Sequence, residues 1–158
     1  IDPTRIAVMG HSAGGHLALW LAGCGRVPAE SPIAAPALPL RAAVSLAGVV
    51  DLREAWRLRL SSGVVRELLG GEPEAVQDRY AAASPIELVP LGVQQLLIHG
   101  ELDDIVPIAL SERYVAAATT AGDDATLLAL PDAEHFAVID PESAAWPQML
   151  AAVTSLFA

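Results

Sequence analysis

The chain has 158 residues, 53% of them hydrophobic, and carries nine Arg or Lys against nineteen Asp or Glu, a net charge of −10. That length and apolar content suffice for one buried core, so one domain spanning 1–158 is expected. The negative charge repels phosphate backbones and anionic lipid, the single Cys24 excludes an internal disulfide, and no apolar run reaches the ~18–20 residues of a membrane span, so neither nucleic acid nor membrane is an expected partner.

Residues 5–9 (RIAVM) form an apolar run rich in β-formers and predict a strand. Because the chain enters this strand so early, further chain is expected ahead of it, and with one lone thiol the cytoplasm is the expected location. Gly10-His11-Ser12-Ala13-Gly14-Gly15 follows at once, then residues 16–24, apolar almost all round, which predict a buried helix with Gly25 as its stop. Four prolines between 27 and 40 forbid helix or central strand and predict an extended surface connection. Residues 42–47 (AAVSLA) predict a second buried strand.

From 51 to 90 the pattern turns to short charged helical pieces, 53–60, 64–69 and 73–82, separated by Gly63 and Gly70-Gly71. This reads as a helical insertion over the sheet edge or pocket mouth, in which Trp56, Leu58 and Leu60 either wall an acyl or aryl pocket or cover the core. Residues 95–98 predict a third strand, 108–121 a helix closed by Gly122, 126–130 a fourth strand, and a last helix begins near Ala144 or Pro147 and runs to Phe157. Strands apolar on both faces and alternating with helices predict an α/β fold, a mostly parallel sheet with helices on both faces.

Gly10-His11-Ser12-Ala13-Gly14 matches G-x-S-x-G in the context the motif requires, after a buried strand and before a helix. A strand that turns into a helix without a loop strains its central residue, and flanking glycines are expected to let strand and helix approach. The turn holds Ser12 out above the sheet at a helix N-terminus, with the Ala13 N–H as the oxyanion donor. A chance Gly-Ser turn is the competing interpretation, and the flanking elements weigh against it.

A serine needs a base, and the base an orienting acid. Of the four histidines, His11 lies inside the elbow, His16 one turn into the helix, and His99 ends a strand as a packing residue. His135 follows the fourth strand in a polar loop, on the sheet edge that also carries the elbow, and is the best base. The loop after the third strand offers Glu101, Asp103 and Asp104, among which spacing does not choose. That loop and His135 could instead hold a divalent cation, but no second His stands at ligand spacing. Cys24, in an apolar helix, is expected to be buried and inert.

With these residues in hand, the chain resembles the α/β-hydrolase superfamily, and within it the dienelactone hydrolase, feruloyl-esterase-like, arylformamidase and prolyl oligopeptidase groups. The resemblance is carried by Asp2-Pro3-Thr4-Arg5-Ile6 leading into the elbow, by Ser84-Pro85, by Leu97-Ile98-His99-Gly100 with Asp103-Asp104 and Val106-Pro107, and by Glu134-His135-Phe136. It implies that Asp103, the first acid of the pair, orients the base, and that His135, a His followed by an aromatic, is that base. It also implies a second oxyanion donor on an early Gly-rich loop that this chain lacks, so the chain is expected to be the C-terminal portion of the domain and to be poorly active alone. The implied chemistry is hydrolysis of a carboxylic ester through an acyl-enzyme, with no cofactor or metal. The substrate is a small-molecule ester, amide or short peptide. The alternatives are a prolyl oligopeptidase-type peptidase and a non-catalytic binding protein on the same scaffold.

Overall fold

The computed structural model describes Asp2 and residues 5–158. Pro3 and Thr4, which belong to the first segment of the resemblance, lie outside the described residues. Four strands, β1 (Ala7–His11), β2 (Ala42–Leu46), β3 (Gln94–Gly100) and β4 (Ala125–Leu130), pair in parallel in the order in which they occur. Their register sets Ala7 beside Ala42, Ala42 beside Gln94 and Gln95 beside Ala125. Parallel neighbours need crossovers, and α1 (Ala13–Gly23), α5 (Ala109–Thr120) and the short helices α2 (Leu52–Arg57), α3 (Val64–Leu69) and α4 (Gln77–Ala83) supply them. The last helix, α6 (Trp146–Ser155), has Pro147 in its first turn, where no intrahelical N–H is lost.

Side-chain alternation sorts the core into two layers, as expected for a sheet covered on both faces. Ala43, Leu97 and Ala125 meet Leu19 of α1 and Leu110, Tyr114 and Ala118 of α5. Val44, Leu46, Leu96, Ile98 and Leu130 meet Met149 and Leu156 at the other face. Gln95 lies on the α5 side, where its Oε1 accepts the Tyr114 hydroxyl at 2.6 Å, so a polar strand residue is buried without an orphaned carbonyl. No helix among the described residues is long and apolar enough to cross a membrane.

Several expected boundaries shift. β1 begins and ends two residues later than expected, so strand leads into elbow with no spacer, and β3 extends to Gly100. The third helical piece starts at Gln77, because residues 72–76 form a turn whose carbonyl of Glu72 receives the N–H groups of Ala75 and Val76. Gly25 does not act as a left-handed helix stop: α1 ends at Gly23, and Gly25 sits in a 3-10 turn, Cys24–Arg26. Its missing side chain instead makes room for the proline-rich connection, since a Cβ there would lie 2.6 Å from Ala37 Cβ. Cys24 is buried as expected. Trp56 and Leu60 pack against the α5-side core and thus cover it, while Leu58 is exposed.

Candidate active site

The parallel arrangement brings the C-terminal ends of β1, β3 and β4, and therefore the elbow, the 101–107 loop and the 131–136 loop, to one edge of the sheet. At the elbow, Ser12 has φ 55 and ψ −119, a positive-φ conformation that a non-glycine residue adopts only under constraint. The constraint is visible: the Ser12 N–H donates to Leu46 O at 2.8 Å, continuing the β1–β2 ladder, while its carbonyl accepts from Gly15 and His16 at 2.9 and 3.1 Å and starts α1. The Ser12 side chain makes no capping bond, so its hydroxyl is not spent on the helix. Ala13 opens α1 ahead of these first two helical donors.

The flanking glycines have unequal roles, which corrects the expectation that both relieve a clash. A Cβ on Gly10 would collide with the Gly14 carbonyl, whereas one on Gly14 would meet open space. The second tight glycine is Gly15, where a Cβ would lie 2.6 Å from Ser45 Oγ. The reason is periodicity: Gly14 lies on the outer side of the first helical turn, and Gly15 on the side against β2. Ser45 Oγ, wedged between Gly15 and Gly48, is a buried hydroxyl without a partner among the described residues.

His135 Nδ1 donates to Asp103 Oδ2 at 2.7 Å, with both side chains almost wholly buried. The other oxygen, Asp103 Oδ1, accepts the N–H groups of Ile105 and Val106 at 2.9 and 2.8 Å. Asp103 is thus an acceptor surrounded by donors, which suits an ionised carboxylate. Asp104 is exposed and makes no comparable set of contacts, and Glu101 is likewise exposed. Gly100 lets the two loops close on each other, because a Cβ there would collide with the Ala133 carbonyl. With Nδ1 engaged, Nε2 is the His135 nitrogen available for proton transfer. No hydrogen bond joins Ser12 Oγ to His135 among the described residues. Catalytic hydrogen bonds are often long before substrate binds.

The other three histidines have definite partners. His16 Nε2 donates to Ala83 O at 2.8 Å and ties α1 to α4, and burial pushes its pKa down. His99, fully buried, donates from Nε2 to Val106 O at 2.8 Å, with Asp103 Oδ2 3.2 Å from the same nitrogen, while its Nδ1 accepts the Ser111 hydroxyl at 2.8 Å. Burial dominates here too and pushes its pKa down, against the Val106 carbonyl and Asp103, which favour the protonated ring. The result is a neutral ring in one tautomer that buttresses the Asp103 loop. The expectation of His99 as a packing residue misses this contact, which its i,i+4 spacing from Asp103 across a tight turn signals. His11, inside the elbow, donates from Nε2 to the His135 main-chain oxygen at 2.9 Å.

Among the described residues no group of three or more His, Cys, Asp or Glu converges as a metal site. A groove of about 650 Å³ lies between the proline-rich connection and α3–α4, walled by Pro32, Ile33, Leu69 and Ala82; Ser12, Asp103 and His135 do not line it.

Comparison with known proteins agrees with this architecture. The chain is 34% identical over 143 residues to Esterase LipQ of Mycobacterium tuberculosis, an alignment covering 85% of this chain and 33% of that protein. Among solved structures, it is similar to an acetyl ester-xyloside bifunctional hydrolase from Caldicellulosiruptor lactoaceticus, at 25% identity and a TM-score of 0.71 over 99% of this chain and 58% of that one. It is also similar to the thermophilic esterase Est2 of Thermogutta terrifontis with propionate bound, at 27% identity and a TM-score of 0.70 over 99% and 56%. The chain therefore spans about a third of the curated relative and little more than half of these esterase structures. The model of the prolyl oligopeptidase family matches residues 1–152, and the chain belongs to that family, on an α/β-hydrolase fold.

Proposed function

We propose that this chain carries the catalytic triad of a serine hydrolase that cleaves small carboxylic esters, with Ser12 as nucleophile, His135 as base and Asp103 as the acid that orients it. The observation that carries this reading is the buried 2.7 Å bond from His135 Nδ1 to Asp103 Oδ2, on the strand edge where the strained elbow presents Ser12. His135 Nε2 takes the Ser12 proton as Oγ attacks the carbonyl, and Asp103 stabilises the imidazolium. The tetrahedral oxyanion is received by the Ala13 N–H, aided by the N-terminus of α1. Collapse expels the alcohol, which His135 protonates; water, activated by the same ring, then releases the acid and frees Ser12.

The esterase names of the similar proteins, one of them bound to propionate, favour an ester with a short acyl group over an amide. A short peptide is the second substrate class, favoured by the prolyl oligopeptidase family model. The intact protein should label with a fluorophosphonate probe. Ser12→Ala should abolish labelling, and His135→Ala should slow it by about 1000-fold or more. Labelling that persists in Ser12→Ala would refute the assignment. Turnover of p-nitrophenyl acetate against a prolyl-containing peptide separates the two substrate classes.

A further inference from the structure

We propose that His11 is a positioning residue that sets the base against the nucleophile by holding the His135 main chain. The inference rests on the reading of Ser12 and His135 given above. His11 closes β1 and is bonded covalently to Ser12, and its backbone is fixed by pairing with Leu46 on β2. The elbow is therefore rigid. His135 belongs instead to the irregular segment between β4 and the 3-10 turn Ala137–Ile139. The other backbone bonds of that segment engage its neighbours: Ala133 N–H reaches Leu130 O at 3.3 Å, Ala133 O receives Leu102 N–H at 3.0 Å, Glu134 O receives Ala137 N–H at 3.2 Å, Phe136 O receives Ile139 N–H at 3.0 Å, and Phe136 N–H donates to Glu134 Oε2 at 3.2 Å.

The carbonyl of His135 itself is held by a side chain, His11 Nε2–H, at 2.9 Å. This nitrogen donates whether the His11 ring is neutral or protonated, so the link does not depend on its charge. The two rings lie 4.5 Å apart between centroids, tilted by 50°, and Phe136 completes the cluster, edge-on to His135 at 5.0 Å and tilted against His11 at 5.7 Å. Asp103 fixes the His135 ring through Nδ1 from β3's loop, and His11 fixes its backbone from the elbow. Ring and backbone of His135 are thus held from two separate elements. Because displacement of a reacting group by about 1 Å can cost on the order of 100-fold in rate, a link of this kind acts on the chemical step.

The test compares His11→Phe, which keeps an aromatic ring but has no donor, with His11→Gln, whose side-chain N–H can reach the same carbonyl. Ester hydrolysis by the intact protein is measured with Ser12→Ala as the reference for dependence on the nucleophile. His11→Phe should lower kcat by about 10- to 100-fold with KM within about twofold. His11→Gln should recover most of the loss, while the urea unfolding midpoints of both stay near that of the parent. A parent-like kcat in His11→Phe, a His11→Gln as slow as His11→Phe, or a loss carried by KM would overturn the proposal. Should His11→Phe fold too poorly to assay, His11→Asn, whose shorter amide falls short of the carbonyl, replaces it with the same outcomes. Turnover that persists in Ser12→Ala would refute the triad instead, so the two failures are distinguishable.

Discussion

His99 Nε2 lies 3.2 Å from Asp103 Oδ2, the same oxygen that receives His135 Nδ1 at 2.7 Å. The shorter contact of His99 is to Val106 O, at 2.8 Å, so its N–H is shared between the carbonyl and the carboxylate. Val106 in turn donates its N–H to Asp103 Oδ1. One neutral ring thereby closes the turn that presents the acid, and a protonated His99 would have to surrender the acceptor role that Nδ1 plays toward Ser111.

This arrangement makes stability depend on pH in a definite direction. Burial lowers the pKa of both His99 and His16 from the ordinary value of 6.5. In the unfolded chain these rings take up protons near pH 6.5, whereas in the fold they do so only at lower pH. Below 6.5 the unfolded state therefore binds more protons, and unfolding free energy rises with pH. The contribution is fully present above pH 6.5 and is lost as pH falls from there toward the folded-state values. Each ring contributes a slope of up to about 1.4 kcal/mol per pH unit in that window. Urea unfolding between pH 7 and pH 5 measures it. His16→Gln, which retains an N–H for Ala83 O, should flatten the slope; an unchanged slope would show that His16 is not buried neutral.

The two adjacent acids should separate cleanly. Asp103 accepts three short hydrogen bonds and is buried, while Asp104 is exposed. Asp103→Asn should reduce kcat for ester hydrolysis by about 1000- to 10,000-fold, because the amide stabilises neither the right His135 tautomer nor its charge. Asp104→Asn should stay within about twofold, as expected for a surface carboxylate. The reverse ranking would move the acid one residue along.

The elbow glycines differ in a way that unfolding experiments can read. Gly10→Ala places a methyl group against the Gly14 carbonyl at the crossing of β1 and α1, and should cost about 3 kcal/mol or more, given a backbone that has no room to shift. Gly14→Ala meets open space inside a helix and should be neutral or stabilising by up to about 1 kcal/mol. Equal losses at the two positions would contradict the asymmetry of this turn.

How much was readable in advance follows from the range of each interaction. Periodicity and punctuation are local, so the four strands, the helices between them and the α/β class were legible in the sequence. So was Ser12 as the residue at the strand-to-helix turn, since the strain in question belongs to its own φ and ψ. Element ends were less legible: β1 is shifted by two residues toward the elbow, where Ser12 N–H finds a partner on β2, which no local pattern encodes.

The loop acids could not be ranked from spacing, because what distinguishes Asp103 from Asp104 is the direction each side chain takes after the chain has turned. That direction is decided by two backbone N–H groups, His99 and a ring from a loop 32 residues away. His11 shows the same limit from the other side. Its position was plain, but its partner lies 124 residues along the chain, and only a parallel sheet that gathers its C-terminal ends at one edge brings them within 2.9 Å. The sequence by itself determined which chemical groups are present and on which edge they emerge, since both follow from local backbone preference and strand polarity. Tertiary structure alone decided which groups touch, because hydrogen bonds between loops are set by packing rather than by proximity along the chain.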